Sequence, residues 1–353
     1  MAALIEYKCP CCGGVVEFDS ASQRPKCPYC DTEFNIDELK AAQKNNFTEV
    51  ESNPEVPKTT EDGLLVYVCE SCGGEIVTDA TTAATHCPYC TNPIIMKGQL
   101  SGELTPDLVI PFKLDKKSAK AAFAKHLTGK PLLPKVFKTE AHINEIKGIY
   151  VPFWMFDAHS SGDFSFEATT VRKYDTASHH VTETKYYSVR RSGTVDFSDI
   201  PVDGSEKMAN DLMESLEPYD IDDAVSFDTA YLSGYLADRW DVSAGNAIAR
   251  AKERIAASTE DELRATVNGY SSVRKLSGAV DSIETGHRYI LLPVWLMSTE
   301  WQDKNYVFAM NGQTGKFVGN LPVDMGAYFR RLIIGGLIAS PIVFAVLAFM
   351  ALL

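Results

Sequence analysis

Eight cysteines near the start of the chain have a spacing that suits metal binding. They form two quartets, each made of two CxxC units: Cys9, Cys12, Cys27 and Cys30 in the first, and Cys69, Cys72, Cys87 and Cys90 in the second. In both quartets, 14 residues separate the two units. A CxxC turn presents two thiolates from one tight loop, and two such turns complete the tetrahedral sulfur shell that zinc prefers.

The two quartets belong to an internal repeat. Each cysteine of the second lies 60 positions after its counterpart in the first. Other residues repeat at the same offset: Tyr7/Tyr67, Gly13-Gly14/Gly73-Gly74, Asp19/Asp79 and Pro28-Tyr29/Pro88-Tyr89. Each copy spans only about 25 residues, too few for a hydrophobic core, so bound metal must supply most of its folding energy. Four sulfur ligands leave no open coordination position, so we predict two structural Zn²⁺ ions as cofactors.

Three alternatives compete with this interpretation. The CPYC units resemble a glutaredoxin-type redox motif, although each has an upstream CxxCGG partner and no βαβ pattern surrounds it. Iron in a rubredoxin-like site is chemically compatible with four thiolates. The ninth cysteine, Cys11, has Ser71 as its counterpart and is interpreted as a spare thiol, with a register swap against Cys9 or Cys12 left open.

Charge and cysteine placement narrow the class of partner. The net charge is −13, and residues 1–98 contain 7 basic and 15 acidic side chains, a net of 7 − 15 = −8. Each four-thiolate zinc centre adds about −2. This field repels phosphate, which disfavours nucleic acid and favours protein partners.

All nine cysteines lie between Cys9 and Cys90, which indicates metal ligands in a reducing compartment, and MAALIEYK lacks the features of a secretory signal.

The C-terminal residues predict a membrane anchor. Residues 332–353 carry no charge over 22 positions, long enough to cross a bilayer as a helix. Arg330 and Arg331 precede this run, so the positive-inside tendency places the N-terminus and the soluble domains in the cytoplasm. We therefore expect a single-pass, tail-anchored protein of the cell membrane. The spacing of Gly335 and Ala339 is compatible with helix–helix packing and admits a homo-oligomer.

The remaining residues predict an α+β protein. The expected domains are zinc ribbon 1 (1–35), a helix and acidic linker (36–64), zinc ribbon 2 (65–98), a central, largely antiparallel α+β domain (99–327) and the anchor (328–353). Helices are expected at 31–44, 115–127, 205–217 and 243–264, alternating strands at 164–200, and a hairpin at 306–318. Three proline–aromatic phrases, around Pro111, Pro152 and Pro293, are expected to begin strands. The acidic linker predicts two ribbons that move relative to each other.

No catalytic pattern emerges from the sequence. It contains no GxGxxG, P-loop, GxSxG or HExxH motif. His179 and His180 are adjacent in a strand-like segment and would point to opposite faces, which makes a poor chelate. The acidic group Asp220, Asp222 and Asp223 is typical of a solvated loop. We predict that the protein is not an enzyme.

Several long phrases resemble a known family. The two CxxCGG…CPYC units, followed by VIPFKLDKKSAKAAF, GIYVPFWMFD, IPVDGSEKM, LADRWDV and LLPVWL…FAMNGQTGKFVGNLP, are similar to the bacterial TFIIB-type (double) zinc-ribbon membrane proteins. Members are sometimes named after the PriA helicase, but no helicase motif is present here. The resemblance implies an adaptor or scaffold that organises membrane-stress proteins of the SPFH or phage-shock type at the cytoplasmic face of the membrane. The alternative is a nucleic-acid-binding zinc-ribbon protein tethered at the membrane.

Overall fold

A computed structural model describes residues 4–44, 58–59, 64–138 and 146–352. The predicted acidic linker, 45–63, lies outside these residues except for Lys58–Thr59. The strands are β1 (Leu4–Ile5), β2 (Glu17–Asp19), β3 (Arg24–Lys26), β4 (Lys58–Thr59), β5 (Leu65–Val68), β6 (Glu75–Thr78), β7 (Thr82–His86), β8 (Pro93–Met96), β9 (Leu108–Val109), β10 (Lys147–Asp175), β11 (His180–Asp203), β12 (Val225–Ser226), β13 (Leu236–Asp238), β14 (Ser272–Trp301), β15 (Lys304–Asn311) and β16 (Phe317–Gly319). The α-helices are α1 (Ile36–Lys44), α2 (Lys116–Leu127), α3 (Asn210–Ser215), α4 (Ala244–Ala265) and α5 (Met325–Leu352).

The predicted α+β fold class is confirmed. A mixed central sheet has the order β1-β8-β7-β13-β10-β14-β15-β16, with β11 beside β10 and β9 beside β14. Its pairs are antiparallel except for β10 with β13 and β14 with β9. Two small sheets, β2-β3 and β4-β5-β6, lead into the two cysteine quartets, with β3 ending directly before Cys27 and β5 directly before Cys69. The sheet is therefore largely antiparallel, as the sequence indicated.

Three long strands form the centre of the molecule. β10 pairs with β11 from Phe153↔Asp203 to Asp175↔His180, and with β14 along the other edge. The predicted alternation over 164–200 is confirmed, because Phe164 and Phe166 are buried on the face that α4 covers. Gly162 lets α4 approach closely, since a Cβ there would lie 2.8 Å from Leu263 Cδ1.

The prolines do not begin strands, and that prediction was wrong. Pro152 lies inside β10 and Pro293 lies inside β14. Each faces the point at which a neighbouring strand ends, so its missing N–H has no partner to lose. At each of these points a glycine of the neighbouring segment donates its N–H to the proline carbonyl: Gly204 to Pro152, and Gly312 to Pro293.

Most helix predictions hold, with one correction. Asp115 caps α2 by accepting a hydrogen bond from Ser118 N at 2.7 Å, and α4 is one continuous helix. The helix expected at 205–217 is shorter, because α3 begins only at Asn210. Ser205 is buried, and its hydroxyl accepts from Lys207 N instead of capping a helix. The predicted hairpin over 306–318 is present as β15 and β16.

The two N-terminal repeats are attached to the central sheet and to each other. β1, which precedes the first quartet, pairs with β8, which follows the second. β7 of the second repeat pairs with β13, and Phe18 N of the first repeat donates to Ser233 O. The sequence predicted ribbons that move relative to each other, whereas the structure joins them through strand pairing.

The C-terminal helix stands apart from this body. α5 is the one candidate membrane span among the described residues, and no part of Met325–Phe344 is buried. Its apolar side chains, including Leu337 and Phe344, are exposed. The helix is long and apolar enough to cross a membrane.

Candidate metal centres

Each predicted cysteine quartet converges on one point. In the first quartet Cys9 Sγ lies 3.6 Å from Cys30 Sγ, and Cys12 Sγ lies 3.5 Å from Cys27 Sγ. All four sulfur atoms lie within 4.8 Å of one another. Cys9 and Cys27 are buried, while Cys12 and Cys30 face solvent, so the centre is at the edge of its repeat.

The second quartet has the same geometry. Cys69 Sγ lies 3.7 Å from Cys90 Sγ, and Cys72 Sγ lies 3.7 Å from Cys87 Sγ. A tetrahedral zinc ion with Zn–S bonds of about 2.3 Å separates its sulfur ligands by about 3.8 Å. The observed separations fit that arrangement, and every one of these cysteines is a free thiol. Each quartet can therefore hold one metal ion.

Four nearly identical turns position the eight thiols. In each, the amide N–H four residues after the first cysteine donates back to that cysteine's carbonyl, as from Gly13 to Cys9 and from Thr91 to Cys87. The donor residue has a positive φ in all four turns: Gly13 (74°), Asp31 (57°), Gly73 (74°) and Thr91 (60°). Glycine adopts this conformation readily, whereas a β-branched threonine is strained in it.

The second glycine of each CxxCGG phrase has a different role. A Cβ on Gly14 would lie 2.6 Å from Tyr29 Cδ2, and one on Gly74 would lie 2.3 Å from Tyr89 Cδ2. The tyrosine of each CPYC unit therefore packs against the glycine backbone of the opposite unit. Only the first glycine of each pair is needed for the turn itself.

The repeated aspartates close the hairpins, a role that sequence reasoning missed. Asp19 accepts from Ala21 N and Ser22 N, and Asp79 Oδ1 accepts from both Thr81 N and Thr82 N at 2.9 Å. Asp79 also binds Lys207 Nζ, which in turn contacts Asp238 in β13. The repetition at an offset of 60 was the signal that could have identified them.

The thiols of the first quartet differ in their pKa values. The Thr32 side chain and backbone lower the pKa of Cys30 to about 6. At Cys12 the Gly14 N–H lowers the pKa, but the neighbouring thiols outweigh it and the pKa is raised to about 12. Thiolate is the form that binds metal, so a divalent ion must displace protons from the remaining thiols.

Comparison with known proteins gives one full-length relative. The chain is 36% identical over 343 residues to "Uncharacterized protein YdjG" of Bacillus subtilis (strain 168), covering 96% of this chain and 97% of that protein. The chain belongs to the YdjG family. No family model and no solved structure matches it. The alignment covers nearly the full length of both chains.

Within this YdjG-family chain the first repeat packs against the body. Tyr7 Oη lies 2.6 Å from Thr229 Oγ1, and the Phe18 ring contacts the Tyr231 ring at 5.2 Å between centroids. Burial raises the pKa of Tyr7 to about 12, so its hydroxyl stays protonated. The first repeat is thus held on the body through Tyr7 and Phe18.

One face of the second repeat is open to solvent. In the sheet β4-β5-β6, Val66 pairs with Val77 and Val68 pairs with Glu75, so these side chains share one face. Val68 is 45% exposed and Val77 is 54% exposed. We call Val66, Val68 and Val77 the valine face. At the same repeat positions the first repeat has Glu6, Lys8 and Glu17.

Proposed function

We propose that this chain is a membrane-anchored adaptor whose two structural zinc ribbons present a protein-docking surface at the cytoplasmic face of the cell membrane. The observation that carries the proposal is the valine face on the second ribbon. Three valines occupy positions that are charged in the first ribbon, and two of them are markedly exposed. Exposed apolar side chains rimmed by polar residues are typical of protein-interaction sites.

The charge around this surface defines the partner's chemistry. Glu70 and Glu75 are exposed on the same repeat, and a filled four-thiolate zinc centre carries a net charge of about −2. We therefore expect a partner with an apolar patch bordered by lysine or arginine, because electrostatic complementarity favours encounter and register. The resemblance to TFIIB-type zinc-ribbon proteins supports SPFH- or phage-shock-type proteins as the class to examine.

Zinc is the ion that the donor set favours. Four thiolates from two CxxC turns suit zinc, and the closed sulfur shell has no position for water or substrate, so the proposed role is structural. The eight cysteines would bind the two ions and stabilise the turns that carry Tyr29 and Tyr89. The proposal assigns no catalytic step to either centre.

Membrane anchoring rests on α5. Its exposed apolar side chains would be costly in water over so long a helix, and a bilayer removes that cost. Arg330 and Arg331 precede the apolar run, and the positive-inside tendency puts the ribbons and the sheet in the cytoplasm. The docking surface would then work on partners at or near the membrane.

An affinity purification from detergent-solubilised cells tests the adaptor role. The variant Val68→Lys/Val77→Glu gives the second ribbon the side chains found at Lys8 and Glu17, and both positions are exposed, so folding and zinc content should be unchanged. We expect it to lose a partner that the unaltered protein retains. A matched control, Val171→Lys/Ile283→Glu, changes exposed residues on the long strands and should keep the partner.

Two results would refute the adaptor role. One is an identical set of co-purifying proteins for the unaltered chain and the Val68→Lys/Val77→Glu variant. The other is recovery of nucleic acid whose binding weakens steeply with salt, which would favour the alternative function. Zinc content measured on the same samples shows whether any loss comes from the surface or from an unfolded ribbon.

A further inference from the structure

One segment of this acidic protein is strongly basic. Residues 113–138 contain eight lysines and one aspartate, a net of 8 − 1 = +7, so the rest of the chain carries −13 − 7 = −20. The segment comprises α2, the following turn and the 3₁₀-helix Lys135–Lys138. Such a separation of charge within one chain indicates a surface that meets an anionic partner.

The end of this segment lies against the residues that lead into α5. Asp324 N donates to Leu132 O at 2.8 Å. Leu321 packs on a buried cluster that includes Phe123 and Leu127 of α2. The Asp324 carboxylate accepts from Ala327 N at 3.0 Å and caps α5. The basic segment is thus fixed at the base of the C-terminal helix.

The length of α5 sets the distance from this base to the hydrocarbon core of a bilayer. The uncharged run begins at Leu332, seven residues after Met325, which corresponds to about 10 Å at 1.5 Å per residue. The headgroup layer on each side of a bilayer is about 5–8 Å thick. The base of α5 therefore lies at the outer surface of the headgroups, within the Debye length of about 8–10 Å.

The side chains at the base suit a lipid surface. Lys125 is exposed, and Lys130 Nζ lies 2.8 Å from His126 Nε2. Apolar side chains at Val323, Met325 and Tyr328 are exposed where the chain enters α5. Lysines attract anionic headgroups, while exposed apolar and aromatic groups favour the interfacial region.

We propose that residues 125–138, together with Arg330 and Arg331, bind the headgroups of anionic phospholipids in the leaflet that α5 enters. We name this surface the basic floor. It orients the soluble body on the membrane, so that the valine face is held at a defined height. The inference rests on the proposed membrane anchoring by α5.

Hydrogen–deuterium exchange of the full chain in nanodiscs tests the basic floor. The two membranes compared are phosphatidylcholine alone and phosphatidylcholine with about 30% phosphatidylglycerol. We expect amides at 125–138 to exchange more slowly with phosphatidylglycerol present, and this slowing to disappear at high salt.

In Lys125→Gln/Lys130→Gln the apparent affinity for the anionic lipid should fall about 25-fold, roughly fivefold per lysine. Lys173→Gln/Lys185→Gln removes two lysines from the far end of β10 and β11 and should have no effect.

The outcomes separate the two proposals. Equal exchange at 125–138 in both membranes, with 332–352 protected in both, would overturn the basic floor while anchoring stands. Free exchange of 332–352 in both membranes would overturn anchoring itself. An equal loss of the lipid effect in the Lys173→Gln/Lys185→Gln control would show that the effect is not local and would also overturn the floor.

Discussion

The Glu6 carboxylate, three residues before Cys9 in the chain, accepts a hydrogen bond of 2.5 Å from Ser71 Oγ in the second metal centre. Glu6 is buried, and its other oxygen lies 3.7 Å from Cys69 Sγ. Ser71 occupies the repeat position of Cys11, which is exposed. Glu6, which follows β1, therefore connects the first repeat to the second centre, and the difference between serine and cysteine at this position has a structural reason.

Loss of the Ser71 hydroxyl should destabilise the second centre. In Ser71→Ala the buried Glu6 carboxylate loses a donor, which costs about 1–3 kcal/mol. We expect faster release of one of two metal ions to a chelator and a lower unfolding temperature. The matched change in the other repeat, Cys11→Ser, alters an exposed side chain and should leave both quantities unchanged. Equal release rates for Ser71→Ala and the unaltered protein would contradict the link.

Metal content should follow the two quartets independently. We expect two zinc ions per chain by elemental analysis, one in Cys9→Ser/Cys12→Ser and one in Cys69→Ser/Cys72→Ser. Both variants should lose stability, because the first ribbon gives up its contacts with Thr229 and Tyr231 and the second gives up the pairing of β7 with β13. Iron in place of zinc, seen by its visible absorption, would correct the assignment of the ion but not of the ligands.

The positive-φ positions of the turns predict two substitutions with opposite effects on stability. Thr91→Gly relieves a β-branched residue from a left-handed conformation and should stabilise the protein by about 1 kcal/mol. Gly73→Thr places the same strain at the equivalent turn and should destabilise it by a similar amount. Thermal unfolding with zinc at a fixed concentration measures both, and a shift of the same sign for the two would contradict the turn geometry.

Asp203 should make stability depend on pH. Burial is the main cause that raises its pKa to about 7. The nearby Asp241 and Glu214 carboxylates also raise it, whereas hydrogen bonds from the Gly204 and Ser205 N–H groups lower it. The folded value is above the unfolded value of about 3.9, so the stabilising contribution is present at low pH and is lost as pH rises through 7.

Asp203→Asn should therefore be more stable relative to the unaltered protein at pH 8 than at pH 5, by about 2–3 kcal/mol. Denaturant unfolding of both proteins at the two pH values gives this difference directly, and the pH dependence of zinc binding, common to both, cancels. A difference that is constant between pH 5 and pH 8 would show that Asp203 does not titrate there.

Truncation after Asp324 should separate the body from the membrane. It removes α5 while keeping the contact between Asp324 N and Leu132 O, so the body should fold and retain two metal ions. We expect the full chain to resist alkaline extraction from membranes and the truncated chain to be released. Release of both chains under the same conditions would contradict anchoring by α5.

Local sequence signals predicted much of this protein. The spacing of the cysteines predicted two four-ligand centres, because a CxxC turn has one geometry that its own backbone hydrogen bonds enforce. Asp115 predicted the start of α2, and an uncharged run predicted the apolar helix α5. In each case residues close in sequence interact with one another, so the pattern holds the information.

Tertiary structure alone decided how these parts join. Pro152 and Pro293 could be placed inside strands only once the ends of their neighbours were known. The pairing of β1 with β8 and the contact between Glu6 and Ser71 span more than 60 residues, across a linker whose composition suggested separation. Which ribbon side chains are covered depends on distant contacts such as those of Tyr7 with Thr229 and Phe18 with Tyr231. Such long-range contacts arise from shape and burial over the whole chain, and no local pattern records them.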